Sequence, residues 1–149
     1  MNFQLKHFND LSVSELYQIL KLRQNVFVIE QNCIYPELDG YDKDCFHVFL
    51  LDDNGECIAT SRLVPPKIKH EHFASIGRVC TSINNRKNGL GKQLMQYSLQ
   101  NSEELFPLKS IKIGAQLYLK IFYESFGFIQ VSEPYDEDGI IHIDMIKEN

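Results

Sequence analysis

The segment best suited to hold an anion reads Arg86-Lys87-Asn88-Gly89-Leu90-Gly91-Lys92. Glycine lets the backbone turn through positive φ and lets a ligand come close, and the first turn of a helix offers unpaired N–H groups at the positive end of its dipole. Lys87 and Lys92 add charge. A pyrophosphate is the ligand such a turn fits. A glycine turn that only caps a helix would use the same residues, and Gly-x-Gly alone does not separate the two. Cys33, Cys45 and His47, together with His70-Glu71-His72, supply metal-ligand types. They lack both a paired-cysteine signature and two histidines at i,i+4, so no metal is expected. Cys80 has the chemistry for an acyl-enzyme, but its place in an apolar strand-like run makes a packed thiol the expected state. Glu37, Asp39, Asp42 and Asp44 make one short stretch acidic. Such a stretch attracts a cationic amine or serves turn chemistry. His142, between Ile141 and Ile143, either lines a site or is a hydrogen-bonded structural residue.

These groups need elements to position them. Phe3 and Leu5 alternate with Gln4 and Lys6, which predicts an opening strand over 2–8. Ser12 and Glu15 have capping-box spacing, and Leu16, Ile19, Leu20, Arg23 and Phe27 recur at helical intervals to about residue 30. After an acidic loop over 32–44, two β-rich runs at 46–51 and 57–64 flank Asp52-Asp53-Asn54-Gly55 and predict a hairpin. Beyond Pro65-Pro66, a strand is expected over 72–81 and a helix over 89–105, with the anion-binding turn between them. A strand at 111–115, helical spacing over 117–126 and a closing hairpin of 128–131 with 140–146 complete the order β-α-β-β-β-α-β-α-β-β. The expected fold is a single α/β domain over 1–149 on one mixed sheet.

Composition agrees with that architecture. The 149 residues are 44% hydrophobic and 23% charged, close to a globular average and enough for one core. A formal net charge of −5 argues against a nucleic-acid binder, which needs a basic face. No run approaches the roughly 18 apolar residues of a membrane span, and residues 1–8 do not read as a leader, so a cytoplasmic protein is expected. The four cysteines are too widely spaced for a disulfide framework, and free thiols are expected.

Arg86-x-x-Gly89-x-Gly91, after a strand and opening a helix, resembles the acyl-CoA signature of the GNAT superfamily of N-acetyltransferases. Downstream, Ala115-Gln116 followed by Phe122-Tyr123-Glu124-Ser125-Phe126-Gly127-Phe128 is similar to that superfamily's second motif. More narrowly, Phe27-Val28-Ile29-Glu30-Gln31, Glu37-Leu38-Asp39-Gly40, Ile76-Gly77-Arg78-Val79 and Glu137-Asp138-Gly139-Ile140-Ile141-His142 resemble the ElaA-like branch, so the resemblance spans nearly the whole chain. It implies a mixed, mostly antiparallel central sheet flanked by helices, with splayed central strands. It also implies acetyl-CoA as cosubstrate. On that basis the backbone of Lys87, Asn88, Gly89, Leu90, Gly91 and Lys92 would cradle the pyrophosphate, with Arg86 beside it, and the strand backbone at Val79 and Thr81 would hold the pantetheine arm. Val79 N–H is the candidate donor to the thioester carbonyl, where negative charge grows during transfer. Gln116 stands where many relatives carry asparagine, and a pantetheine contact is expected there.

The resemblance implies direct transfer to an amine, which needs an unprotonated nucleophile and usually a proton donor to the departing thiolate. Tyr123 matches the family's acid position, and its phenol is protonated at neutral pH. Glu30, near the end of the first helix, is either the base or a solvated helix-end carboxylate; in the second case water relays the proton. The acceptor is an amine-bearing small molecule or peptide, and monomer and homodimer both stay open. The rival from another class is a noncatalytic acyl-CoA-binding or sensing module that keeps the cofactor turn without acceptor chemistry.

Overall fold

The computed structural model of the chain describes residues 2–149. The first helix starts as the Ser12/Glu15 spacing predicts. Ser12 Oγ accepts from the Glu15 N–H at 3.0 Å, and a Glu15 carboxylate oxygen accepts from the Ser12 N–H at 3.0 Å. Helix α1 (Val13–Arg23) then widens into a π-helical segment, Gln24–Glu30. There the Gln31 and Cys33 N–H groups donate five residues back, to Val26 and Val28. Apolar spacing cannot signal this change of pitch, because the wider turn rotates the residues beyond it without altering composition.

Strands β1 (Gln4–His7), β2 (Phe46–Leu51), β3 (Cys57–Val64) and β4 (Ser75–Thr81) form one antiparallel sheet in that order. In the second sheet β5 (Ile111–Gln116) and β6 (Ile129–Gln130) flank β8 (Ile140–Lys147), and β7 (Tyr135–Glu137) also pairs with β8. The expected mixed sheet thus takes the form of two antiparallel sheets with one parallel link. Ala74 bridges Ile111, its N–H donating to Ser110 O at 3.1 Å while the Lys112 N–H donates to Ala74 O at 2.9 Å. Beyond that bridge, among the described residues, β4 pairs only with β3 and β5 only with β8. The two parallel strands splay into a V.

Alternation along β2 divides the core. Val48 and Leu50 join Leu94, Met95 and Leu99 of α2 (Leu90–Leu105), whereas Phe49 joins Ile19, Leu22 and Val26 of the α1 side. The sheet is therefore covered on both faces, and β3 is buried along its whole length. Its polar side chains are bonded: Thr60 Oγ1 donates to Val48 O at 2.7 Å, and Ser61 Oγ lies 2.7 Å from Ser98 Oγ. Helical spacing over 117–126 resolves into a 3-10 turn, Leu117–Leu119, and α3 (Lys120–Glu124). The closing hairpin differs from expectation. β7 and β8 form it around Asp138-Gly139, while β6 pairs with the far half of β8. Tyr-Asp-Glu has too few apolar residues to announce β7 as a strand.

Candidate active site

The turn before α2 has the geometry of an anion cradle. Lys87 takes φ +73° and Gly89, the N-cap of α2, φ +75°; among the described residues no side chain caps the helix. The first-turn N–H groups are therefore without a side-chain partner. A Cβ built on Gly89 or Gly91 would meet no described atom within 4 Å beyond its chain neighbours and the helix's own adjacent backbone. The positive φ explains glycine at 89; internal packing does not explain it at 91, where the space lies over the helix end. Lys87, Asn88 and Lys92 are exposed around it. Residues 87–92 thus fit a pyrophosphate by backbone conformation, open space and charge.

Arg86 is engaged elsewhere. Its Nη1 and Nη2 donate to the two Glu30 carboxylate oxygens at 2.8 and 2.9 Å, and Nη2 and Nε donate to Thr81 O at 2.9 and 3.3 Å. Glu30, expected as a free base, therefore has both oxygens on a guanidinium. The next residue, Gln31, accepts from Gln116 Nε2 at 3.3 Å. The end of the π-helical segment thus reaches both arms of the V, through Arg86 after β4 and Gln116 at the end of β5.

Tyr123, on α3, is 8% exposed and packs edge-on against Phe122 and Phe128. Burial pushes its phenol up to about 12, with smaller pushes from Tyr118 and Cys80. It stays protonated over the physiological range. Cys80 on β4 is buried, and burial raises its thiol well above the ordinary range, which leaves it a poor nucleophile. All four cysteines are free. His142 Nδ1 lies 2.8 Å from Ile140 O and Nε2 lies 3.3 Å from Glu137, with the ring stacked on Tyr135.

Three of the four acids of the loop are engaged in ion pairs. Glu37, Asp39 and Asp42 meet three arginines: Arg23 of α1, Arg62 of β3 and Arg78 of β4. Arg23 and Arg62 are 1% and 2% exposed, so their positive charge is neutralised in place by these carboxylates. Asp44 lies in a 3-10 turn, its N–H donating to Tyr41 O at 3.0 Å. Sequence reasoning missed this network, although it had two signals. Arg23 falls on the apolar face of a helix, and Arg62 sits in the middle of an apolar strand; each needs a buried partner. Gln31 was missed too, and carries no comparable signal.

A cavity of 670 Å³ lies between the α1 side and β3, bordered by Leu22, Val26, Ile29, Glu30, Ile58 and Ile83. Of the expected site residues only Glu30 borders it, so it is not the cleft between β4 and β5. Among the described residues, no group of three or more His, Cys, Asp or Glu could hold a metal ion, and no helix is long and apolar enough to cross a membrane.

Comparison with known proteins agrees with the splayed strands and the glycine turn. The family model described as an acetyltransferase (GNAT) domain matches residues 23–149. The chain belongs to the GNAT acetyltransferase family. Within it the chain is similar to ElaA of Escherichia coli, with 42% identity over 149 residues, covering 99% of this chain and 97% of that protein. It also resembles a UPF0039 protein of Schizosaccharomyces pombe, 42% identical over 146 residues, with 97% and 95% covered. The crystal structure of an acyl-CoA N-acyltransferase from Pseudomonas aeruginosa superposes with a TM-score of 0.93 at 42% identity, covering 98% of each chain. That of E. coli ElaA superposes at 0.92 and 41% identity, covering 99% of this chain and all of the other. The GNAT and ElaA-like resemblance of the motifs is thus borne out over nearly the full length.

Proposed function

We propose that this protein transfers an acetyl group from acetyl-CoA directly to a primary amine of a small molecule or peptide. The observation that carries the assignment is the V between β4 and β5 together with the uncapped, glycine-opened start of α2. The N–H groups of residues 87–92 would bind the pyrophosphate, assisted by Lys87 and Lys92. The backbone of Val79 and Thr81 and the Gln116 carboxamide would orient the pantetheine arm. Acyl-CoA supplies the activated acyl group; the chain supplies placement and electrostatics.

Val79 N–H is assigned as the donor to the thioester carbonyl oxygen, where a fixed dipole stabilises the growing charge. The amine nitrogen bonds to the carbonyl carbon, the carbon–sulfur bond breaks, and the leaving thiolate takes a hydrogen bond from the Tyr123 phenol. The amine must also lose a proton. Because both Glu30 oxygens are held by Arg86, Glu30 is assigned to holding Arg86, and water accepts that proton. Four free thiols suit a reducing, cytoplasmic setting.

The test mixes purified protein with acetyl-CoA and a panel of polyamines, amino sugars, amino acids and peptides, and records free CoA and acetylated product by mass spectrometry. Amine-dependent product is expected. Binding without turnover of any amine would favour a binding module instead, and no binding would sink the cofactor assignment.

A further inference from the structure

Strand β4 carries one residue more than the strand opposite it. Thr60 pairs with Cys80 and Arg62 with Gly77, so Ser61 alone faces Arg78 and Val79. A bulge of this kind takes backbone groups out of the ladder and re-aims the chain. At its first residue Arg78 has φ +51°, a conformation that glycine reaches freely and arginine does not.

The Arg78 side chain shows what holds it there. Its Nε donates to Glu37 Oε1 at 2.9 Å, and Nη2 donates to Glu37 O at 2.8 Å and Asp39 Oδ2 at 3.3 Å. The guanidinium also lies over the rings of Phe27 and Tyr35, 6.0 and 5.9 Å from their centroids. Its acceptors are themselves fixed. Glu37 takes two bonds from Arg23, at 2.6 and 3.1 Å, and Asp39 takes two from Arg62, both at 2.8 Å. Arg62 adjoins Ser61 on the strand opposite the bulge, so both sides of the bulge are anchored on Asp39. Buried ion pairs contribute little net stability, because desolvation offsets their attraction. Apart from Arg62 Nε, which has no partner among the described residues, the buried side-chain atoms of this network are bonded, and such a network rigidifies the backbone it holds.

We infer that Arg78, clamped by Glu37 and Asp39, is a positioning residue that sets the β4 bulge so that the Val79 N–H meets the acyl-thioester carbonyl. The inference rests on the acyl-CoA assignment above and adds to it a device outside the glycine turn. Arg78 acts through the backbone of its C-terminal neighbour.

The experiment compares wild type with Arg78→Lys, Arg78→Gly and Glu37→Gln, each checked for folding by circular dichroism. Infrared spectra of bound [1-13C]acetyl-CoA report the carbonyl directly and need no acceptor. In wild type the carbonyl band should lie below that of the free thioester, and in the variants it should return toward the free position. Removing a whole oxyanion donor costs about 100- to 1000-fold in kcat, so mis-aiming one should cost about 10- to 100-fold. The Kd for CoA should stay within about 3-fold, because residues 87–92 are untouched. Lysine keeps the charge but cannot span both carboxylates, and glycine removes the clamp and holds no one conformation, because it populates positive and negative φ about equally. Should Arg78→Gly not fold, Glu37→Gln, which preserves side-chain shape, carries the same comparison. Wild-type kcat and an unmoved band in the folded variants would overturn the positioning role alone. Failure of wild type to bind acetyl-CoA would instead overturn the cofactor assignment beneath it.

Discussion

Replacing Tyr123 with phenylalanine removes one oxygen from a side chain that is 8% exposed and whose phenol is raised by burial and nearby groups. With no hydrogen bond from its hydroxyl to the described residues to lose, fold stability should change by less than about 1 kcal/mol. The rate effect comes from acidities. Burial holds the phenol at about 12, whereas an alkyl thiol sits near 8.5. Complete proton transfer to the leaving thiolate is therefore uphill by about 3.5 in pKa, roughly 4.8 kcal/mol. In the proposed mechanism the phenol instead donates a hydrogen bond to a forming anion, about 1.5 to 3 kcal/mol. That converts to a loss of about 10- to 150-fold in kcat for Tyr123→Phe, with the CoA Kd and Tm nearly unchanged. The assay records thiol release at saturating acetyl-CoA from pH 7 to 10, with CoA affinity measured by calorimetry. Because the folded pKa lies above the usual value of 10, the active protonated form persists through that range and no alkaline fall from Tyr123 is expected. Wild-type kcat in the variant, a loss beyond about 10⁴-fold, or an alkaline limb between pH 8 and 10 that the substitution abolishes would each refute this reasoning.

The two glycines of the turn should behave oppositely. Gly91→Ala, at ordinary φ with no atom near the new Cβ, should leave the unliganded protein as stable or up to about 1 kcal/mol more so, yet weaken CoA at least about tenfold; unchanged affinity by calorimetry would remove the close-approach argument. Gly89→Ala, at φ +75°, should lower stability by about 1 kcal/mol and Tm by about 2–4 °C, as read by a thermal melt. Glu30→Gln should loosen Arg86 and shift the CoA Kd while leaving in place the fall of kcat at low pH that protonation of the acceptor amine should cause; loss of that fall would return Glu30 to the role of base. For Asp39, burial raises the pKa, but hydrogen bonds and charge from Arg62 outweigh it and hold the carboxyl well below its ordinary 3.8. Its stabilisation is complete above the unfolded value and lost as pH falls below it. Urea midpoints of Asp39→Asn should therefore be lower than wild type at pH 7 and converge with it below about pH 4.

The amino-acid order alone determined most of the elements and the family. Ser12 and Glu15 announce the start of α1, β-rich runs around a turn announce β2 and β3, alternation announces β5, and Gly89 announces the start of α2, because these signals are local. The glycine turn and the Tyr123 segment also lie in continuous stretches, so the proposed cofactor region was legible as a motif. Pairing between distant residues was beyond the reach of that order. Glu37, Asp39 and Asp42 read as loop acids until Arg23, Arg62 and Arg78 come to them from a helix and two strands. Glu30 read as a free base until Arg86, 56 positions away, occupied both its oxygens. The bulge that gives Arg78 its positive φ depends on how β3 and β4 register, which neither strand specifies by itself. Charge state and donor direction are properties of such neighbours, so only the tertiary structure decided them.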